Sequence, residues 1–211
     1  MWVADMDFRP PACVQKAVEN MSKHGIYGYY GDDTSYREAI QWWMENRHSW
    51  VINPDWIFST HGLVNGAALC IETFSNPGDS IVLFTPMYHS FFRVIKAANR
   101  EILECPLVSN NGRYEFDFVS YDNLMTGKEK IVILCSPHNP GGRVWSKEEL
   151  KNVANFAKRH NLVLISDEIH HDIVYSGANH IPMATIDEDI YDRLILSLIH
   201  ISEPTRRYAI S

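Results

Sequence analysis

Three short, unbroken apolar runs constrain the fold most: SIVLFT at 80–85, IVILCS at 131–136 and LVLIS at 162–166. A strand with one face in water alternates polar and apolar residues, whereas a run apolar throughout is buried on both faces. Helical spacing separates these runs. YHSFFRVIKAAN at 88–99 reads as one helix and SKEELKNVANFAKRHN at 146–161 as another, with Ser146 and Glu149 placed as an S-x-x-E capping box. EILECPL at 101–107 and RLILS at 193–197 add strands, WIFST at 56–60 reads as a short strand and RYEFDF at 113–118 as an extended piece. HGLVNG at 61–66 reads as a glycine-bearing turn, and AALCIETFS at 67–75 as a helix ended by NPGD. The pattern predicts an α/β fold: a mostly parallel sheet with helices on both faces.

The N-terminal part has a different character. PPACVQKAVENMSKHG at 10–25 predicts a helix with Val14, Ala17, Val18 and Met21 on one stripe, ended by Gly25. IYGYYGDD at 26–33 is loop chemistry whose rings need a partner surface. TSYREAIQWWMENRHSW predicts a second helix capped by Thr34 or Asp33; Trp42, Trp43 and Trp50 read as core or subunit contact.

Composition removes several functional classes. With 45% apolar and 21% charged residues in 211, the chain is suited to a packed domain and not to disorder. Nineteen Lys and Arg against 26 Asp and Glu, with no long basic stretch, do not make a nucleic-acid footprint. No apolar run approaches the roughly 20 residues that span a bilayer, and the start, MWVADMDFRPP, lacks the apolar core of a signal peptide. Cys13, Cys70, Cys105 and Cys135 form no CxxC, and the last three lie in apolar stretches. They read as buried free thiols of a reducing, cytoplasmic compartment.

In parallel sheets ligands sit at the carboxyl ends of strands. The three most unusual loops, THGLVNG, SPHNPGGRVW and SDEIHHD, all fall there. In the first, glycines admit a close ligand and the helix start favours phosphate, although an ordinary strand-to-helix turn explains it equally well. In the second, Pro137, Pro140, Gly141 and Gly142 fix the backbone around Asn139. In the third, Asp167 follows four apolar residues, where a carboxylate is costly unless paired with a cation such as a protonated pyridine or a metal. The cluster Asp167, Glu168, His170, His171, Asp172 lacks H-E-x-x-H spacing, and the remaining histidines, His48 among them, are scattered, so no metal site is expected. Tyr88 either stacks on a planar ring or packs with Phe91 and Phe92; Asp187, Glu188 and Asp189 read as a solvated turn.

WVADMDF at 2–8, YGYYGD at 27–32, SPHNPGGRVW at 136–145 and SDEIHHDIVY at 166–175 together resemble the pyridoxal-phosphate enzymes of fold type I, the aminotransferase class I/II superfamily. The closer resemblance is to the MalY/PatB-type cystathionine β-lyases, and it runs to about Leu196. It implies a pyridoxal 5'-phosphate cofactor with Asp167 on the pyridinium nitrogen. Asn139 and His170 would lie near the phenolic oxygen, Tyr88 on the ring, and the backbone of Gly62, Leu63 and Val64 around the phosphate. Tyr29 would reach the phosphate of a neighbouring subunit in a homodimer with a shared active site, and Asp5 would lie beside the substrate. The implied organisation is an N-terminal segment and subunit-contact loop over 1–31 and an incomplete cofactor-binding domain over 32–196.

The implied reaction is β-elimination from a cysteine-type substrate, giving thiol, keto acid and ammonia, with transamination as the alternative outcome. The family's Schiff-base lysine belongs after Asp167, yet no lysine follows Lys158. The tail from 197 to 211 resembles translated adaptor sequence, and the N-terminus looks clipped. The polypeptide as written is therefore expected to be inactive. A metal-dependent hydrolase built on the 167–172 cluster and a non-catalytic binding module are the competing classes.

Overall fold

The computed structural model describes residues 7–29 and 31–197. Its centre is a five-stranded parallel sheet in the order β2-β1-β5-β6-β7, formed by β1 (Ser80–Thr85), β2 (Glu101–Pro106), β5 (Glu129–Cys135), β6 (Val163–Asp167) and β7 (Leu194–Ser197). A small antiparallel pair, β3 (Val108–Asn110) and β4 (Arg113–Glu115), stands apart. The three apolar runs are the central strands, and each buries both faces as expected.

Alternate side chains divide the core into two layers. Ile81, Leu83, Ile131, Ile133 and Ile165 face α3 (Leu63–Phe74) and α4 (His89–Ala97) through Ala67, Ile71, Phe91 and Ile95. Val82, Phe84, Val132, Leu134 and Leu164 face α5 (Phe118–Leu124) and α6 (Lys147–Arg159) through Tyr121, Val153, Phe156 and Ala157. The period-2 geometry of a strand produces this division without any further device.

Several expectations are corrected. WIFST forms no strand: Pro54–Trp56 is a short 3-10 helix, and 57–60 runs on without a ladder partner. Among the described residues the sheet ends at β7, and this segment lines a cavity with β7 instead of pairing with it. HGLVNG is not all turn, since α3 already begins at Leu63. RYEFDF is extended only over Arg113–Glu115, because Asp117 caps α5 by accepting from the Ser120 amide. Asp33 does precede α2 (Thr34–His48), but its carboxylate pairs with Arg37, while Asp32 accepts from the Thr34 amide. Asp187 is not merely solvated; it binds Lys158 and caps the short helix after it. Cys105 and Cys135 are buried free thiols, but Cys70 is half-buried and Cys13 exposed. The stripe on α1 (Ala12–His24) is formed but buries nothing, and Trp42 is 59% exposed, so neither joins the core.

The predicted capping box is present. Ser146 Oγ accepts from the Glu149 amide, and the Glu149 carboxylate accepts from the Ser146 amide at 2.7 Å. Ser146→Ala removes one of these bonds and is expected to cost about 1 kcal/mol, read as a fall of about 2–4 °C in thermal midpoint by circular dichroism.

Candidate active site

The strand order reverses beside β1: β2 lies on one side of it and β5, β6 and β7 on the other. The loops after β1 and β5 therefore diverge and leave a crevice at their carboxyl ends. His138 bridges it, with Nε2 2.9 Å from the Pro86 carbonyl. Its own loop closes through His138 N–H to the Arg143 carbonyl and Gly142 N–H to the His138 carbonyl, both 2.7 Å. Trp145 Nε1 donates to the Cys135 carbonyl at 2.9 Å. Gly141 is required by space: a Cβ there would lie 2.5 Å from His138 Nδ1 and 2.8 Å from the Tyr114 ring.

Asp167 ends β6 opposite Cys135 and is 3% exposed. Its Oδ1 accepts from the Ile169 amide at 3.2 Å, and the Cys135 sulfur lies 3.8 Å from Oδ2. Burial first, and the Asp167 charge second, hold the Cys135 thiol well above its ordinary pKa, so it stays protonated. The same sulfur accepts from the Asn139 backbone amide at 3.3 Å, which folds the loop after β5 back onto the end of that strand.

Gly62 precedes α3 with φ +86°, a conformation glycine adopts without strain. No side chain caps this helix, and the first intrahelical bond is Gly66 N–H to the Gly62 carbonyl. The amides of Leu63, Val64 and Asn65 thus form the electropositive start of a twelve-residue helix. Leu63, Gly66 and Thr60 share with Asp167 and Ser197 the lining of a cavity of about 920 Å³.

The structure brings Tyr88, Asn139, Asp167 and His170 to the ends of three adjacent strands and sets the α3 start at the same edge. Tyr88 is half-buried at the start of α4, its ring 5.9 Å from that of Phe91. His170 is half-buried in the turn after β6, and its carbonyl accepts from the Ile173 amide. Tyr29 is fully exposed and does not join this group. Asp5 lies outside the described residues.

Residues that sequence reasoning left scattered meet beside this site. Glu168, fully buried, accepts from Ser166 Oγ, the Met183 amide and His180 Nε2. Asp172 accepts from Trp43 Nε1 at 2.9 Å and lies 3.0 Å from His48 Nε2. These partners are 124 and 129 positions apart, and no local pattern marks the pairing.

The aminotransferase class I and II family model matches residues 3–198. The chain belongs to the aminotransferase class I and II family. It is 37% identical over 193 residues to cystathionine beta-lyase PatB of Bacillus subtilis, covering 91% of this chain and 50% of that protein. Cystalysin from Treponema denticola, whose crystal structure contains pyridoxal 5'-phosphate, superposes with TM-score 0.89 at 35% identity, covering 99% of this chain and 52% of that one. The pyridoxal-phosphate-bound C–S lyase from Staphylococcus hominis superposes with TM-score 0.90 at 34% identity, covering 96% and 52%. The chain spans about half the length of these aminotransferase class I/II relatives. Among its described residues no helix is long and apolar enough to cross a membrane.

Burial depresses the pKa of His138 below its ordinary 6.5, and the Pro86 carbonyl only partly offsets this. The unfolded ring therefore takes up a proton before the folded one does. Stability is complete above about pH 6.5 and drains as pH falls from there toward the folded value. His171 is depressed in the same direction, again chiefly by burial. Denaturant midpoints are expected to fall from about pH 7 to about pH 5, and His138→Asn is expected to flatten that slope relative to the parent.

Proposed function

We propose that the whole protein containing this chain is a pyridoxal 5'-phosphate-dependent C–S β-lyase, acting on a cysteine-type substrate such as cystathionine or a cysteine S-conjugate and releasing thiol, keto acid and ammonia. The observation that carries the reading is Asp167, a buried carboxylate beside a cavity at the sheet's carboxyl end, in a chain 37% identical to a cystathionine beta-lyase. The donor set fits the cofactor. A buried carboxylate suits a pyridinium, an uncapped helix start suits a phosphate dianion, and a rigid loop carries an amide between them.

When bound, the cofactor supplies an electron sink for the charge left at the substrate α-carbon. Asp167 would hold a proton on the ring nitrogen, since a buried carboxylate stabilises an adjacent cation far more than water does. The backbone amides of Leu63 and Val64, with Gly62 making room for them, would bind the phosphate. The Asn139 amide and His170 would orient the phenolic oxygen, and Tyr88 would cover the ring face and exclude water. Cys135, kept as a thiol, would add no competing negative charge beside Asp167. Residues 32–196 are read as part of the cofactor-binding domain, and Asp5 as a neighbour of the substrate.

Residues 1–31 are read as a subunit-contact segment of a homodimer, Tyr29 reaching the neighbouring subunit's phosphate. The bare stripe of α1, with Val18 65% and Met21 56% exposed, and the fully exposed Tyr29 support this. Four unpaired cysteines support a reducing, cytoplasmic setting.

In the whole protein, cystathionine is expected to yield keto acid and thiol in equal amounts without an amino acceptor. Asp167→Ala is expected to lower cofactor affinity and turnover by at least about 100-fold, the scale of removing one partner of a buried charge pair. Amino transfer to a keto acid without thiol release would instead favour the aminotransferase reading, which the family's own membership supports. Cofactor binding undisturbed by Asp167→Ala would overturn both.

A further inference from the structure

After Asp167 the chain turns and lays His171 and Asp172 against the C-terminal end of α2, where His48 is the last residue. His48 Nε2 lies 3.0 Å from Asp172 Oδ1, and His171 Nε2 lies 3.2 Å from Asp172 Oδ2. One ligand atom from each of the three residues lies within 4.8 Å of the others. Zinc bound tetrahedrally at about 2.0–2.2 Å sets its ligand atoms roughly 3.4 Å apart. We propose that His48, His171 and Asp172 form a binding site for one divalent transition-metal ion of the zinc type, which pins the loop after β6 to α2.

Hydrogen bonding fixes the donor atoms. His171 Nδ1 lies 2.6 Å from the Glu168 carbonyl, which can only accept. The Nδ1 proton is therefore committed there, and the neutral ring presents its Nε2 lone pair toward Asp172. A lone pair directed at a carboxylate is a poor hydrogen bond and a good metal-ligand pair. A ring whose other nitrogen donates to a backbone carbonyl is the usual outer support of a metal-bound histidine. Trp43 Nε1 plays the corresponding part for Asp172, donating at 2.9 Å.

A second observation points the same way. His180 is 1% exposed and spends Nε2 on Glu168 at 2.7 Å, yet its Nδ1 is buried with no hydrogen-bond partner. Its ring lies 5.6 Å from that of His48 and 5.9 Å from that of His171. His180 is not itself one of the three clustered ligands, but it adds a third imidazole and an unsatisfied nitrogen to the same locality. Two imidazoles and one carboxylate select zinc, cobalt or nickel over magnesium or calcium, which prefer oxygen. The ion would act on the fold, joining segments distant in sequence. The inference does not rest on the lyase reading.

The test uses the tag-free chain, stripped with chelator and then titrated with zinc and, separately, cobalt. One equivalent of zinc is expected by equilibrium dialysis, and the cobalt form should show the visible ligand-field bands of a four- or five-coordinate site. The thermal midpoint is expected to rise by about 5–10 °C with zinc at about 100 times its Kd. His48→Gln and Asp172→Asn should weaken zinc binding at least about 100-fold, and Trp43→Phe, which keeps all three ligands, about tenfold. His160→Gln, at the surface pair with Asp122, should change nothing. The proposal is overturned if the unaltered chain takes up no stoichiometric zinc at micromolar concentration. It is also overturned if cobalt shows only the weak spectrum of the hexaaquo ion, or if His48→Gln and His171→Gln both retain full binding. Should the His48 variant fail to fold, the cobalt spectrum of the unaltered chain and the Trp43→Phe affinity decide the matter.

Discussion

A carboxylate held at the end of a strand buried on both faces is the constraint from which the rest of the site follows. Asp167 sits where β6 emerges from the core, between Cys135 on the neighbouring strand and the cavity that reaches the start of α3. A charge so placed requires compensation, because low-dielectric surroundings penalise it strongly when alone. Two features near it take part: the Ile169 amide donates to Oδ1, and the Cys135 thiol stays protonated beside Oδ2. Both contacts hold the carboxylate at the strand end, facing the cavity that also reaches the start of α3.

The parallel sheet makes such a position available. Its crossovers carry helices to both faces, which bury the strands and direct every strand-end loop to one edge. The loops after β1, β5 and β6 and the amino end of α3 meet there, so residues from 62 to 170 share one locality. The loop after β5 is held by His138, Trp145 and the space reserved at Gly141. These contacts restrain the backbone that carries Asn139.

Next in the chain after Asp167 begins a part-buried polar network. Glu168, His180, His171, Asp172, His48 and Trp43 join the loop after β6 to α2. Glu168 is fully satisfied by three donors, as a buried carboxylate must be. Three of its members, Glu168, His171 and Asp172, lie within five residues of Asp167, so whatever rigidifies the network also bears on how the end of β6 is held.

The amino-acid order alone determined what depends on local periodicity and on turn chemistry. The three apolar runs named the central strands, Ser146 and Glu149 named the start of α6, Gly25 named the end of α1, and the motifs around Asn139 and Asp167 named the family. Each of these signals is complete within about ten neighbouring residues, the range over which side-chain spacing dictates backbone geometry. Tertiary structure decided what depends on partners. WIFST has strand composition but forms no ladder, and the α1 stripe has helical spacing but no surface to cover within the described residues. His48 met Asp172 only when α2 packed beside the loop after β6, a proximity that chain folding creates between positions 124 residues apart and that no spacing rule can record.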